Sequence, residues 1–321
     1  MIKPINLLIT GAAGNLGGLL ALHMQKNPLV KLHLMIHRKD VVPELKNNNV
    51  KVIRADLSNK ETLGAALENI DVLVHFAGIL FQDNPEKFLP VTNTQYFKNL
   101  VDVALEKKIK RIVLCSFPHV EGESFPDKPA TGKLDAVPES AHARTRLEEE
   151  KYMYARAKEI PFEAVSLRLG MVYGKGILMM DVARWLAKYW ILGIWKRPTW
   201  VHFISKDDYL SVFENAIVKP GINGIYHIGD EGKQTFQEFF EVACPYWKHK
   251  KPWKMPVGLI MTFAKCCEIW SSIFGTRSLL TRDFVKIGMV SYYGDTKRMR
   301  EELLPELKFK TVKEGLSQFD K

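Results

Sequence analysis

The segment Thr10-Gly-Ala-Ala-Gly-Asn-Leu-Gly17 decides the fold class of this chain. It follows a short apolar run at 5–10 and leads into a segment of helical character at 16–24. The three glycines permit a tight turn, let backbone N–H groups approach a diphosphate, and let a helix pack closely on the preceding strand. This order of strand, turn and helix predicts a loop that binds the phosphates of a dinucleotide. The alternative is that the glycines serve backbone packing alone.

Beyond this loop, apolar strand-like runs alternate with helical segments through the first half of the chain. The runs lie at 32–36, 50–54, 71–76, 111–115 and 163–168, and the helical segments lie at 61–68, 96–106 and 141–158. Such alternation is typical of crossover units that build a parallel sheet covered by helices on both faces. We therefore predict an α/β fold with a doubly wound parallel sheet of Rossmann type, and a dinucleotide-binding domain over 1–175.

The second half of the chain, 176–321, does not continue this alternation of strands and helices. The sequence predicts helices at 177–195, 208–218 and 236–242, extended segments at 200–204 and 224–228, and a long apolar stretch at 257–274. No Gly/Ser-rich linker separates the two halves. We expect a smaller α+β lobe that is interwoven with the sheet, and leave open whether part of it returns to the sheet.

The composition is that of a globular protein. Of 321 residues, 46% are hydrophobic and 26% charged, which excludes disordered, collagen-like and coiled-coil classes. The four cysteines, Cys115, Cys244, Cys266 and Cys267, lack CxxC spacing, so we expect a reducing compartment and no metal site. The N-terminal residues run into the first strand without a leader-like pattern. These features predict a cytoplasmic protein, with contact to a membrane surface left open.

The charge balance bears on the partners of the chain. Lys and Arg outnumber Asp and Glu by 46 to 36, for a net charge of +10, and more than half of the excess lies in 176–321. A basic excess suits an anionic cofactor or substrate, a membrane surface or a nucleic acid. No nucleic-acid-binding module is recognisable, so no nucleic-acid partner is expected. The oligomeric state is not predicted.

The residues after the second predicted strand bear on the choice of cofactor. Enzymes specific for NAD usually place Asp or Glu there to hold the ribose 2′-hydroxyl group. Here His37, Arg38 and Lys39 stand instead. Their positive charge fits a 2′-phosphate, which predicts NADP(H) in preference to NAD(H). The alternative is that Arg38 and Lys39 are solvated loop charges.

As a set, these motifs resemble the extended short-chain dehydrogenase/reductase superfamily, in its NAD-dependent epimerase/dehydratase group. The loop at 10–17 matches TGxxGxxG, and the segment at 167–174 is similar to LRxxxVYG. The segments at 201–208 and 291–303 resemble elements of the family's substrate lobe and tail helix. The loop and the resemblance together imply the following cofactor-binding residues: Thr10, Gly11, Gly14, Asn15, Leu16, Gly17, Arg38, Asp56, Leu57, Ala77, Gly78 and Arg146.

The resemblance breaks down at the catalytic residues. Family members use Tyr-x-x-x-Lys and a Ser or Thr hydroxyl to move a proton as hydride is transferred. The aligned positions here are His142, Arg146 and Phe117. A literal pair of Tyr154 and Lys158 exists, but it starts 12 residues beyond His142, about 18 Å further along one helix. We interpret that pair as unrelated to the site.

The replacing residues can still carry out part of the proton transfer. An imidazole has a reference pKa of about 6.5, so His142 can act as a general acid near neutral pH. Arg146 can donate hydrogen bonds to ribose hydroxyl groups, although it does not deprotonate as lysine can. Ser116 and His119 are candidate helpers. The predicted catalytic residues are therefore His142, Arg146 and Ser116, against the alternative of a site that has lost its chemistry.

Tryptophan and lysine concentrate in the second half of the chain. All seven tryptophans follow residue 180, and the segments 182–206 and 242–267 contain no acidic residue. This composition suits a membrane headgroup region or the rim of an apolar substrate pocket. Lys265 and Glu268 interrupt the apolar stretch, so we expect it not to span a bilayer. The alternatives are core tryptophans and a solvated basic face.

These features predict NADP(H)-linked oxidation or reduction of a carbonyl/hydroxyl pair on a small apolar, lipid-like or anionic substrate. The alternative is a non-catalytic, cofactor-binding regulatory or complex-accessory protein. An orthodox nucleotide-sugar epimerase or dehydratase is disfavoured, because His142 and Arg146 replace the tyrosine and lysine on which its chemistry depends.

Overall fold

The computed structural model describes residues 3–47, 49–78, 85–274, 276, 278 and 280–320. Met1 and Ile2, where the sequence predicts no leader, lie outside these ranges. The strands are β1 (Ile5–Thr10), β2 (Val30–Ile36), β3 (Val50–Arg54), β4 (Val72–His75), β5 (Arg111–Ser116), β6 (Glu163–Leu169), β7 (Met171–Tyr173), β8 (Gly193–Trp195), β9 (Phe203–Ser205), β10 (Gly224–Ile228) and β11 (Trp253–Met255).

The helices follow the crossovers between these strands. They are α1 (Asn15–Met24), α2 (Lys60–Ala66), α3 (Pro85–Leu89), α4 (Tyr96–Glu106), α5 (Ala141–Glu159), α6 (Leu178–Lys188), α7 (Lys206–Val218), α8 (Phe236–Tyr246), α9 (Val257–Phe274) and α10 (Arg282–Gly288). Short 3-10 or π segments lie at Pro43–Leu45, Pro90–Gln95, Pro118–Glu121, Met299–Leu303 and Glu314–Phe319.

A parallel sheet of seven strands forms the centre of the described part of the chain. Its strand order is β3, β2, β1, β4, β5, β6 and β10, and every neighbouring pair is parallel. The chain winds outward in one direction from β1 through β3 and in the other direction from β4. This reversal leaves a crevice at the carboxyl ends of β1 and β4, where ligands bind in open α/β sheets. The predicted doubly wound α/β fold is confirmed.

Each face of the sheet has its own apolar core, because successive side chains of a strand point to opposite faces. Leu7 and Ile9 of β1 face a core shared with α1, α7 and much of the second half. Leu8 faces the other core, shared with α2, α4 and α5. Burial on both faces explains why the strands are continuous apolar runs and not alternating apolar and polar residues.

The second half of the chain is built into this sheet. Its strand β10 pairs with β6 at the edge of the sheet, from Gly224 opposite Val165 to Ile228 opposite Leu169. Helix α7 packs against α1. The remaining strands form two small parallel pairs, β7 with β9 and β8 with β11. The domain boundary at 175/176 stays a prediction.

The predicted helix at 177–195 is wrong in its second part. Helix α6 ends at Lys188, Trp190 has a positive φ of 62°, and the chain then forms β8. Strand β8 pairs with β11, where Gly193 lies opposite Trp253. This partner is about sixty residues further along the chain, so helical periodicity read locally carries no sign of it.

Helix α9 occupies the apolar stretch predicted at 257–274. Among the described helices it is the one whose length and hydropathy would suffice to cross a membrane. Only 11% of that window is buried against the rest of the protein. Most of its apolar surface is therefore exposed.

Candidate functional site

The predicted phosphate-binding loop joins β1 to α1 at the crevice. Gly11 has a positive φ of 72°, and a Cβ atom there would stand 2.8 Å from the Ala77 nitrogen. A Cβ atom on Gly17 would stand 2.5 Å from the Gly11 carbonyl oxygen. Gly14 precedes α1 and offers no side-chain cap, which leaves the N–H groups of the first turn to an anionic ligand. These glycines and the helix N-terminus fit the diphosphate of a dinucleotide.

Two further residues of the loop hold the second half of the chain. Asn15 Nδ2 donates to the Gly176 carbonyl oxygen (2.6 Å), and Asn15 Oδ1 accepts from the Leu178 nitrogen (2.9 Å). The Leu16 carbonyl oxygen accepts from the Tyr209 hydroxyl (2.9 Å). The Asn15 side chain is thus engaged by the second half, while its backbone N–H belongs to the first turn of α1. Their contacts with a cofactor stay predictions.

Polar side chains meet at the carboxyl ends of β1 and β4. Thr10 Oγ1 lies 2.8 Å from His75 Nδ1 and accepts a hydrogen bond from the Ala77 nitrogen (3.4 Å). Burial and the nearby Arg146 charge lower the pKa of His75 to about 3, so this ring is neutral at physiological pH. Arg146 Nη2 lies 3.2 Å from the point where a Cβ atom on Gly78 would stand. Gly78 therefore leaves room for the guanidinium at this end of the crevice.

Arg146 is held in place by an acid on its own helix. It forms a buried ion pair with Glu149, one turn further along α5. Burial raises the pKa of Glu149 to about 7, although the charge of Arg146 and its hydrogen bond oppose that shift. A guanidinium has five N–H donors, so this pairing leaves Arg146 able to donate to a further acceptor.

The basic residues after β2 lie at the other side of the crevice. His37, Arg38 and Lys39 are exposed, and Arg54 on the neighbouring strand donates to the His37 carbonyl oxygen (2.7 Å). The nearest following acid, Asp40, pairs with Lys46 at 2.6 Å. The arrangement places cationic side chains where an NAD-specific enzyme usually has a carboxylate.

Asp56 and Leu57 follow β3, the next strand of the sheet. Hydrogen bonds from the Ser58 backbone and hydroxyl lower the pKa of Asp56, and the charges of His37 and Arg38 act in the same direction. Asp56 Oδ2 lies 3.4 Å from His37 Nε2. The Leu57 carbonyl oxygen accepts from Asn99 on α4 (3.3 Å). Asp56 and Leu57 therefore lie near the basic residues that follow β2.

His142 is buried in the first turn of α5, against α10. Its Nδ1 atom lies 3.0 Å from Asp283 Oδ2. Ser140 caps α5 by accepting from the Ala143 nitrogen (3.2 Å), which orders the turn that carries His142. A carboxylate at this distance from one ring nitrogen leaves the other nitrogen for a different partner. No sequence pattern singled out Asp283, which the fold brings to His142 from the far end of the chain.

Ser116 ends β5 and belongs to a buried charge network. Its hydroxyl donates to Glu150, whose Oε2 lies 2.6 Å from Arg168 Nη2. Arg168 also pairs with Glu121, and Glu121 Oε1 lies 3.1 Å from His227 Nε2. All of these side chains are buried. The hydroxyl of Ser116 orients Glu150, so its direct catalytic role stays a prediction that this hydrogen bond does not favour.

The position of the family's catalytic hydroxyl carries an aromatic ring. The centroid of the Phe117 ring lies 4.9 Å from that of His119. His119 Nε2 lies 3.1 Å from the Val290 carbonyl oxygen, and burial lowers the pKa of His119 to about 4. A neutral His119 that binds a backbone carbonyl group stabilises the loop after β5.

The literal Tyr154 and Lys158 pair is divided between the core and the surface, and the interpretation that it is unrelated to the site stays a prediction. Tyr154 packs against the core between α5 and the sheet, and burial raises its pKa further above the usual range. Lys158 is exposed near the end of α5. The four cysteines are free thiols, and no group of three or more His, Cys, Asp or Glu side chains in the described ranges is placed to hold a metal ion.

Comparison with known proteins agrees with this geometry. The family model described as "NAD dependent epimerase/dehydratase family" matches residues 7–194. A trifunctional UDP-glucose 4,6-dehydratase/UDP-4-keto-6-deoxy-D-glucose 3,5-epimerase/UDP-4-keto-L-rhamnose-reductase of Arabidopsis thaliana is 25% identical over 266 residues. That match covers 75% of this chain and 39% of the relative, so the chain spans about two fifths of its length.

Two further proteins match over greater shares of their length. The UDP-glucose 4-epimerase of Vibrio cholerae is 26% identical over 294 residues, which are 87% of this chain and 85% of that protein. The UDP-glucuronic acid 4-epimerase of Bacillus cereus, solved with UDP-glucuronic acid and NAD, superposes with a TM-score of 0.74 at 17% identity. This superposition covers 98% of this chain and 97% of that chain. The chain belongs to the NAD-dependent epimerase/dehydratase family.

Proposed function

We propose that this chain is an NADP(H)-linked oxidoreductase that acts on a carbonyl/hydroxyl pair of an apolar substrate. The observation that carries the proposal is the 3.0 Å contact between His142 Nδ1 and Asp283 Oδ2, at the place of the family's tyrosine. When bound, the nicotinamide supplies or accepts hydride. His142 would give a proton to the substrate oxygen in reduction and take it back in oxidation.

Two side chains support His142 in this role. Asp283 Oδ2 lies 3.0 Å from Nδ1, which would leave the Nε2 atom of the ring for proton transfer. Arg146, beside Gly78, would donate hydrogen bonds to the ribose hydroxyl groups of the cofactor. Because burial and Arg146 keep His75 neutral, that ring adds no positive charge next to the guanidinium.

Replacing His142 by alanine is expected to lower kcat by about 100-fold or more, because the general acid is lost. The Kd for NADPH should stay within a factor of about three, since the groups that bind phosphate are untouched. The measurement is nicotinamide absorbance with a panel of apolar ketones, aldehydes and alcohols. Asp283→Asn should lower kcat less than His142→Ala does and leave KM unchanged, as expected for a positioning residue.

Tyr154→Phe is the matched control for that measurement. It removes the tyrosine of the literal motif, which packs in the core away from the loop, and should leave kcat and Kd unchanged. Undiminished turnover by the His142→Ala variant would contradict the proposed role of the imidazole.

The cofactor is expected to be NADPH, bound at least about tenfold more tightly than NADH, because Arg38 can form a charge-assisted bond to the 2′-phosphate. Arg38→Ala should remove most of this preference and leave the Kd for NADH unchanged. Fluorescence titration with each nucleotide measures both constants. Lys46→Ala removes an exposed cation that pairs with Asp40 and is the control. Tighter binding of NADH by the wild-type chain would show the assignment to be wrong.

The comparisons favour a second candidate, a nucleotide-sugar epimerase or dehydratase, since the relatives from Arabidopsis and Vibrio carry those names. The residues oppose it, because Arg146 cannot deprotonate and His142 replaces the tyrosine. UDP-glucose and UDP-glucuronate in the same panel separate the candidates. Conversion of a UDP-sugar without net change in nicotinamide absorbance would indicate epimerisation. Tight NADPH binding without any turnover would instead favour a non-catalytic nucleotide-binding protein.

A further inference from the structure

A large apolar surface is exposed on the second half of the chain. It is formed by the end of α6, by β11 and by the outer side of α9, and we name it the aromatic face. Its side chains are each between 50 and 70% exposed: Trp185, Tyr189, Trp190, Ile191, Trp253, Leu259, Phe263, Ile269, Trp270, Ile273 and Phe274. Exposed apolar surfaces of this extent mark sites of interaction with a protein or a membrane.

The parts of the aromatic face are joined by direct contacts. Trp253 Nε1 donates to the Trp190 carbonyl oxygen (2.7 Å), which ties β11 to the end of α6. The ring centroids of Trp270 and Phe274 lie 4.3 Å apart on α9, which begins two residues after β11. Along α9 the residues at 259, 263, 270 and 274 recur at helical spacing and share one stripe.

Helix α9 lies on the protein surface and is anchored there. Ile260, Ala264 and Ser271 are buried against the rest of the chain. Glu268 Oε2 lies 2.8 Å from Arg282 Nε, and Glu268 Oε1 accepts from the Arg282 nitrogen (2.6 Å). These contacts keep one side of the helix on the protein. It can lie in the plane of an interface with its free side in the acyl region.

The surroundings of the aromatic face are basic. The cations are Arg184, Lys188, Lys248, Lys250, Lys251, Lys254 and Lys265, and no acidic residue occurs in 182–206 or 242–267. Lys254 Nζ lies 3.4 Å from Glu241 Oε1, so its charge is partly neutralised. The Lys250 Nζ atom lies 3.5 Å from the centroid of the Trp190 ring. Tryptophan rings with neighbouring lysines are typical of the level of lipid headgroups, where anionic lipids attract the positive charge.

A cleft of about 400 Å³ opens beside the aromatic face, lined by Asp181, Arg184, Trp185, Lys188, Trp247 and His249. Trp247 is buried, and within the described part of the chain its Nε1 atom has no hydrogen-bond acceptor. Arg184 and Lys188 can form charge-assisted bonds to a phosphate oxygen at this cleft, beside the Asp181 carboxylate, which accepts a hydrogen bond from the Gly176 nitrogen (3.1 Å).

We propose that the aromatic face docks on an anionic phospholipid bilayer, with lipid phosphate groups at Arg184 and Lys188 beside the cleft. Apolar side chains enter the acyl region, and the surrounding lysines meet the negative headgroups. A second copy of the chain fits less well, because a two-fold contact would place these lysines opposite their own symmetry mates. The proposal is independent of turnover at His142 and goes beyond the proposed reaction.

The test is flotation of the purified chain with vesicles of phosphatidylcholine that contain about 30% phosphatidylglycerol, and with pure phosphatidylcholine vesicles. The wild-type chain should float with the anionic vesicles and lose affinity as salt rises. Two double variants, Phe263→Ser with Trp270→Ser and Arg184→Gln with Lys188→Gln, should each bind at least about tenfold more weakly. All four side chains are exposed, so both variants should fold.

Lys31→Gln with Lys51→Gln is the control, since it removes the same charge from the exposed edge at β2 and β3 and should bind like the wild type. Equal loss in this control would show adsorption by net charge and overturn the proposal. So would no binding of the wild type at low salt, or a dimer that Phe263→Ser with Trp270→Ser dissociates. The Kd for NADPH, measured on every variant, should not change, which separates this result from failure of the proposed oxidoreductase function.

Discussion

Replacement of Gly17 by alanine is expected to lower the affinity for NADPH by about 100-fold, or about 2.7 kcal/mol. The added Cβ atom would stand 2.5 Å from the Gly11 carbonyl oxygen, and that oxygen already accepts the hydrogen bond from the Gly14 nitrogen (2.8 Å). Neither backbone segment can yield without moving the start of α1 away from the turn. The N–H groups that should hold the diphosphate would then no longer converge.

Gly64→Ala is the matched control, because Gly64 also lies within a helix, α2. The nearest atom to a Cβ there is Lys107 Cε at 3.9 Å, so the methyl group fits. This variant should bind NADPH normally and gain up to about 1 kcal/mol of stability from higher helix propensity. Calorimetric titration of both variants measures the affinities. Unchanged binding by Gly17→Ala would show that the loop does not hold the cofactor.

Replacement of Arg168 by methionine is expected to destabilise the protein by about 3–5 kcal/mol. The guanidinium is fully buried and pairs with both Glu150 and Glu121. Without it, two carboxylates remain in the interior, Glu150 with the Ser116 hydroxyl and Glu121 with His227 and backbone N–H groups as described partners. Urea denaturation measures the change in the free energy of unfolding.

Lys110→Met is the control for that measurement. Lys110 Nζ lies 2.8 Å from Asp71 Oδ1, but the lysine side chain is 75% exposed. Water screens such a pair, so its loss should cost no more than about 1 kcal/mol. Equal destabilisation by both substitutions would show that the buried Arg168 pairs contribute no more to the free energy of unfolding than an exposed pair does.

The pH dependence of the Arg168→Met effect provides a second check. Burial alone would raise the pKa of Glu121, but the contact with His227 and the charge of Arg168 lower it from 4.5 to about 2. A carboxylate with a lowered folded-state pKa stabilises the native state above its unfolded pKa and loses that effect on acidification. The gap in unfolding free energy between the wild type and the variant should therefore narrow between pH 4.5 and about 2.

The same network accounts for the contacts of Ser116 at the end of β5. Glu150 accepts from Ser116 on β5 and binds Arg168 on β6, so it ties α5 to two strands at the carboxyl edge of the sheet. Helix α5 also carries His142 and Arg146 in its first two turns. The network thus fixes the position of α5 relative to the sheet. Its charged groups bind one another and not a ligand of the candidate site.

The sequence by itself predicted the sheet, the glycine-rich turn after β1, and the placement of His142 and Arg146 together on one helix. Strands buried on both faces need apolar runs, and the turn at Gly11 needs a residue without a Cβ atom, so both leave a local trace. His142 and Arg146 were recognisable because they occupy a fixed spacing on one helix. These features depend on neighbours within a few residues along the chain.

The tertiary structure alone decided what those positions contact. Asp283 reaches His142 across more than a hundred residues, and the Ser116 hydroxyl meets Glu150 only because β5 and α5 pack together. The helix expected at 177–195 ends at Lys188, and the residues that follow include β8, which pairs with β11. The exposure of the aromatic face could not be predicted from local sequence either, because the residues that flank a tryptophan do not show whether it is buried or exposed. Contacts between distant segments depend on packing of the whole chain, which local periodicity does not encode.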